Sequence, residues 1–395
     1  MASEIDPAAL LVELIRAPTV TPDGAAAFDI LEHHLVRAGF EVHRHLFETP
    51  GTAPVENLFA AIGEGGRHMA FAGHVDVVPP GPEASWSHPP FSAEVVDGTL
   101  YGRGAVDMKG GLAAMVAAAL RFVAARGGNF GGRLSFLVTA DEEGVALNGT
   151  KKLLEWAAAR GERFSAAIVG EPSSAETLGD QIKLGRRGSL SATIIVEGRQ
   201  GHSAYPERAE NPIRGLTQLL HALQAPPLDH GTEHFGPSSL EVVSVDVGNP
   251  AWNVIPARAT ARINSRFNDL WTHDTLKAEI ERRLADAAKD PVLGARTPVR
   301  WSLVTEPAVS DVFLTRDDAL VDIVSGAVES VTGRRPRLST AGGTSDARFI
   351  KDYCPVLECG PVGTTMHQID ERVPLSEIED AARIYEAILK AYFPA

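Results

Sequence analysis

The sequence predicts an α/β protein whose mostly parallel sheet is interrupted by a smaller α+β domain. Through the first half, short apolar runs alternate with longer amphipathic ones, as βαβ units require. After Gly188, β-branched alternation takes over, and the first texture returns near the C-terminus. A chain of 395 residues also exceeds one ordinary core, since domains hold roughly 100–200 residues.

Residues 68–73, 133–139 and 165–170 read as buried strands, each a short and nearly continuous apolar run. Between them, 110–126 reads as a helix rich in Ala and Leu, the best helix formers, and 149–160 as a helix with Leu153, Leu154 and Trp156 on one side. The second texture begins with a strand over 190–196, a helix over 211–224 and strands over 240–247 and 257–267. A helix over 273–288 places Leu276, Ile280 and Leu284 on one face, and a strand follows over 298–304. That β-α-β-β-α-β order matches the ferredoxin-like split βαβ unit. A helix over 317–332, the apolar run 355–359 and a helix over 375–391 close the chain. The expected division is a discontinuous main domain, 1–185 with 298–395, and an inserted domain, 186–297. No internal repeat or low-complexity tract appears.

Lys and Arg number 37 against 51 Asp and Glu, a net charge of −14 that argues against binding nucleic acid or anionic lipid. Cys354 and Cys359 are too few to staple the chain, and the acidic start Met1–Pro7 lacks the basic residues of a secretory signal. The apolar run Leu112–Leu120 is far shorter than the roughly 18–20 residues of a membrane span. A cytoplasmic enzyme of small molecules is expected, one that would need local positive charge to hold an acidic substrate.

Ligands of open parallel sheets bind beyond the carboxyl ends of the strands. His74 and Asp76 follow one predicted strand, Glu142 and Glu143 a second, and Glu171 a third, while Asp107 lies in the Gly-rich turn Gly102–Gly110 before a helix. Each alone has an ordinary explanation: a polar pair at a strand end, a solvated loop, or a helix N-cap. The turn has neither the Walker nor the dinucleotide spacing, and no Gly-x-Ser-x-Gly elbow occurs. Several independent strand ends presenting His or carboxylate at one edge favour a metal hydrolase using zinc, manganese or cobalt. Three carboxylates and two neutral histidines would leave a pair of divalent ions one charge short of neutrality, which a bridging hydroxide would supply.

With these motifs in view, the chain resembles the di-zinc aminoacylase and carboxypeptidase clan. The likeness rests on Gly73-His-Val-Asp-Val-Val-Pro79, Gly102-Arg-Gly-Ala-Val-Asp-Met-Lys-Gly-Gly111, Thr139-Ala-Asp-Glu-Glu-Gly144, Val169-Gly-Glu-Pro-Ser173 and Gly342-Gly-Thr-Ser-Asp346. It implies two zinc ions per subunit, with cobalt or manganese able to substitute. Asp107 would bridge them, His74 and Glu171 completing one ion and Glu143 and His367 the other. Glu142 would be the general base and acid that activates zinc-bound hydroxide, and Asp76 would accept from the second ring nitrogen of His74.

Gly185-Arg-Arg-Gly-Ser189, Gln200-Gly-His-Ser-Ala-Tyr-Pro206 and Glu210-Asn-Pro-Ile213 resemble the branch of that clan acting on N-succinyl-L,L-2,6-diaminopimelate, on the route to lysine and peptidoglycan. This implies a homodimer through the inserted domain, with His202 stabilising the oxyanion. Arg186, Arg187 and Arg266 are the implied carboxylate binders, with Asn253, Gly343 and Thr344 adding neutral hydrogen bonds. Ser203 stands where the branch has valine, and the flanks of His367 differ from those usual in the clan. Acetylornithine deacetylase, another deacylase or dipeptidase of the clan, and a non-catalytic relative remain as alternatives.

Overall fold

The computed structural model of the chain describes residues 5–289, 298–306 and 310–394. They divide into two compact units: one holds the chain up to Leu184, Thr315–Ser339 and the residues from Ser345 onward, and the other holds Gly185–Leu314 with Thr340–Thr344. The first unit opens with α1 (Pro7–Arg16), α2 (Ala25–Arg37), β1 (Glu41–Phe47), β2 (Val55–Gly63) and β3 (Arg67–His74). It continues through β4 (Glu94–Val96), β5 (Thr99–Tyr101), α3 (Lys109–Arg126), β6 (Gly132–Thr139), α4 (Thr150–Ala159), β7 (Ala166–Val169) and β8 (Gln181–Lys183). The second unit holds β9 (Gly188–Glu197), α5 (Pro212–Gln224), β10 (Ser239–Asp246), β11 (Arg258–Phe267), α6 (His273–Lys289) and β12 (Arg300–Thr305). The first then resumes with α7 (Asp318–Thr332), β13 (Arg337–Ser339), β14 (Val356–Glu358), β15 (Arg372–Pro374) and α8 (Leu375–Tyr392).

Local chemistry sets the helix ends. Asp6 caps α1 by accepting the Ala8 amide, with Pro7 at the first helical position, and Asn211 with Pro212 repeats the device at α5. The Ala-rich α3 is buried from Lys109 through Ala119 on all sides, which small side chains permit, and it stops at Gly127 with φ 63°.

The sheet of the first unit runs β1-β2-β6-β3-β7-β14-β8-β13. Its centre is parallel, β6 with β3, β3 with β7 and β7 with β14. The hairpin β1–β2 and its pairing to β6 are antiparallel, so the sheet is mixed at that flank. Both strands lay outside the sequence expectations: β1 is polar and half-exposed, Glu-Val-His-Arg-His, whereas β2 carries a buried apolar run, Leu58–Ala61, that those expectations omit.

In the second unit the sheet order is β10-β11-β9-β12, every pair antiparallel. Burial alternates along β9, so Leu190, Ala192, Ile194 and Val196 share one face. Leu216, Leu219 and Leu223 of α5 and Leu276, Ile280 and Leu284 of α6 join that face in one apolar core. β12 pairs along β9 through Ala192 to Glu197, which puts residues 300–305 in this sheet rather than in the 298–395 portion assigned to the main domain. Residues 290–297, where the insert was expected to end, lie outside the described residues.

Candidate metal centre

β3, β6 and β7 are neighbours pointing the same way, so their carboxyl ends share one edge of the sheet. His74 is the last residue of β3, Glu142 and Glu143 follow β6, and Glu171 follows β7. Asp107 precedes α3, whose start is tied down by buried Lys109, its Nζ donating to the carbonyls of Leu14 and Ala17 at 2.8 Å each. His367 arrives from the loop before β15 with φ 62°, in the left-handed region.

These side chains converge. His74 Nε2 lies 3.2 Å from Asp107 Oδ1 and 3.6 Å from Glu171 Oε1. His367 Nε2 lies 3.1 Å from Asp107 Oδ2 and 2.8 Å from Glu143 Oε1. Asp107 thus turns one oxygen to each histidine. The potential donor atoms of His74, Asp107 and Glu171, and those of Asp107, Glu143 and His367, each fall within 4.8 Å of one another, as do those of His74, Glu142 and Glu143. Among the described residues, no lysine or arginine forms an ion pair with Asp107, Glu143 or Glu171. Clustered carboxylates facing imidazoles, without another cation, fit a pair of divalent metal ions.

The same clustering of charges shifts the titration of these groups. Burial opposes charging of His74, yet Asp107, Glu171 and Asp76 outweigh it and push its pKa well above the ordinary value. Hydrogen bonds to Asp107 and Glu143 raise His367 to about 10. Burial would raise Asp107, but the two histidines hold it far below the usual carboxylate range. Glu171 goes up through burial and the Asp107 charge, and Glu142 rises to about 8 through burial, reinforced by Asp346 and Asp107. Protons here do the work that metal cations would do, so metal binding would release them.

One expectation is corrected. The second nitrogen of His74, Nδ1, meets the main-chain oxygen of Asp76 at 2.8 Å, whereas the Asp76 carboxylate stands 3.5 Å away. That carboxylate is engaged by the amides of Glu142 and Glu143, at 3.3 and 3.1 Å. Asp76 therefore orients the Glu142–Glu143 loop with its side chain and the His74 ring with its backbone. Sequence reasoning also gave no role to Asp346, a buried carboxylate that accepts from Thr150 Oγ1 at 2.6 Å and whose charge acts on Glu142. Its only signal was its place at the end of Gly342–Asp346.

The remaining candidates belong to the second unit. Arg186 is buried, its Nη1 donating to the Gly343 carbonyl at 3.0 Å, and Thr344 follows in the same segment. Arg266 has its pKa lowered by burial and then by the charge of Arg187. Among the described residues neither of these two arginines has a carboxylate partner, so the pair is suited to an anion. Exposed His202 pairs with Val254 across a short antiparallel bridge, and the Ser203 amide donates to the Asn253 carbonyl at 2.9 Å, so His202 and Asn253 are adjacent.

Comparison with known proteins identifies the family. The model of peptidase family M20/M25/M40 matches residues 70–391, and the chain belongs to this family of metal-dependent hydrolases. The chain is 58% identical over 391 residues to a protein of Methylorubrum extorquens named succinyl-diaminopimelate desuccinylase, covering 99% of this chain and 100% of that one. A Methylobacterium protein of the same name is 57% identical, covering 100% and 98% of the two chains. Among solved structures, aminopeptidase PepT from Bacillus cereus shares the fold with a TM-score of 0.77 at 20% identity, with 98% of each chain covered.

Proposed function

We propose that the chain is a succinyl-diaminopimelate desuccinylase, hydrolysing N-succinyl-L,L-2,6-diaminopimelate to succinate and L,L-2,6-diaminopimelate for lysine and peptidoglycan synthesis. The observation that carries the hydrolase reading is Asp107 offering separate oxygens to two His-carboxylate groups while Glu142 stands beside them within reach of His74 and Glu143. The relatives at 57–58% identity support the choice of substrate.

His74, Asp107 and Glu171 would hold one zinc ion, and Asp107, Glu143 and His367 the other. Such a pair supplies Lewis-acid polarisation of the scissile carbonyl and a lowered pKa for water, and cobalt or manganese would serve through the same donors. Glu142 takes a proton from the attacking water and delivers it to the leaving amine, a role open to it because it is not needed as a ligand. Asp76 holds the Glu142 and Glu143 amides and so fixes where that proton is received. Arg186, Arg187 and Arg266 bind the substrate's carboxylates, with Asn253, Gly343 and Thr344 completing the hydrogen bonds. The chain forms a cytoplasmic homodimer through the second unit, Gly185–Leu314, and His202 donates to the oxyanion.

A substrate panel tests the assignment: succinyl-diaminopimelate should be cleaved in preference to acetylornithine and simple dipeptides. Preference for acetylornithine would make the chain a deacetylase of the same family.

A further inference from the structure

Arg103 and Glu371 form a buried ion pair at 2.7 Å, their side chains 3% and 0% exposed. Burying two charges is costly, and the geometry shows where their remaining hydrogen bonds go. Arg103 comes from the Asp107 loop, yet its Nη1 donates to the carbonyl of Gln368 at 3.0 Å and its Nη2 to the carbonyl of His367 at 3.4 Å. Glu371 comes from the His367 loop, yet its Oε1 accepts from the amides of Val106 at 2.9 Å and Asp107 at 3.2 Å. The grip is reciprocal, and the Gly102 amide reinforces it by donating to the Glu371 carbonyl at 2.9 Å. The Arg103 guanidinium also lies 5.2 Å over the Trp86 ring, which holds it in place.

His367 needs such a hold. Its φ of 62° is unfavourable for a residue with a Cβ, and its side chain is half-exposed, so the packing of the imidazole alone does not fix it. Asp107 and His367 are far apart in sequence, and their mutual placement depends on contacts between the two loops.

We propose that Arg103 and Glu371 are positioning residues that clamp the His367 loop to the Asp107 loop and so set the affinity of the metal group formed by Asp107, Glu143 and His367. In the other group only Asp107 touches the clamp, while His74 at the end of β3 and Glu171 after β7 are anchored by the sheet, so that group depends on the clamp much less. This rests on the reading of these residues as metal ligands.

The test is a metal-retention cycle on the full chain: the parent, Arg103→Lys, His367→Ala and the double variant, dialysed against buffered free Co2+ and followed by elemental analysis and the cobalt absorption spectrum. The parent should retain two ions per chain. Arg103→Lys should weaken the second ion about 10- to 100-fold, the range for partners that orient a ligand, and retain the first. In the His367→Ala background, Arg103→Lys should change nothing further, because its effect passes through His367. Glu371→Gln, which keeps an acceptor for the Val106 and Asp107 amides but loses the charge facing Arg103, should reproduce the loss and carries the cycle if Arg103→Lys does not fold. Two ions held with parental affinity in a folded variant, or losses that add in the double variant, would overturn the proposal. Failure of both variants to fold would assign the pair to folding and also overturn it. Absence of bound ions in the parent would instead overturn the metal reading itself.

Discussion

Substitution of Gly111 by alanine tests whether close backbone packing sets the spacing of the proposed ligands. Gly111 lies in the first turn of α3, and a Cβ built there would fall 2.0 Å from the Gly170 carbonyl oxygen. Side-chain Cβ atoms do not approach other heavy atoms within 3.0 Å, so α3 and the end of β7 must part by about 1 Å. Asp107 stands just before α3 and Glu171 just after Gly170, so the displacement falls between two members of one donor group. A misplacement of about 1 Å can cost about 100-fold in rate, or roughly 2.7 kcal/mol of transition-state stabilisation. Overpacking alone should lower stability by about 1–3 kcal/mol. Measuring kcat/KM, bound metal and the urea midpoint separates the two effects. Gly326→Ala is the control, since that glycine is exposed in α7 with nothing within 4 Å of its Cβ position, and it should leave kcat/KM unchanged. A folded Gly111→Ala enzyme with kcat/KM within threefold of the parent and undiminished metal retention would refute the reasoning.

Glu142→Gln should keep its metal and lose about 100- to 10,000-fold in kcat, the usual contribution of a general base; more than a tenth of parental turnover would show that another group takes the proton. Chelation should abolish activity, with recovery on adding Zn2+ or Co2+, and should lower the melting temperature, because an ion at 1,000 times its Kd contributes about 4 kcal/mol to folding. A melt indifferent to chelator would count against ions bound in the folded state. Buried His68 donates to or accepts from Ser135 Oγ at 2.9 Å, and burial holds its pKa at about 4 against 6.5 for a free ring. Its neutral form belongs to the folded state, so its contribution is full above pH 6.5 and is lost as pH falls toward 4. Urea midpoints at pH 7 and pH 4.5 should therefore differ more for the parent than for His68→Gln; equal differences would refute the assignment.

Much of the scaffold was legible because the relevant signals are local. Continuous apolar runs marked β3, β6 and β7, alanine content marked α3, and period-two alternation marked β9. Residues at the ends of those strands inherit their position from the strand, which is why His74, Glu142, Glu143 and Glu171 could be named as one set before their spacing was known. β1 was not legible, since a half-exposed strand with polar residues lacks a distinctive pattern and gains its order from pairing with β2.

By itself, the sequence determined the types of the elements with strong local patterns, the candidate ligands and the sign of the charge that the site must neutralise. Tertiary structure alone decided that β12 joins β9, that Asp107 divides its oxygens between His74 and His367, and that the Asp76 backbone rather than its carboxylate receives the His74 ring. It also brought Arg103 to the His367 loop and Glu371 to the Asp107 loop. The physical reason is that periodicity and propensity report which faces are apolar over a few residues, whereas the partner of a buried group is chosen by which atoms the core packing brings within reach, whether two residues away as for His74 and Asp76 or 264 away as for Asp107 and Glu371.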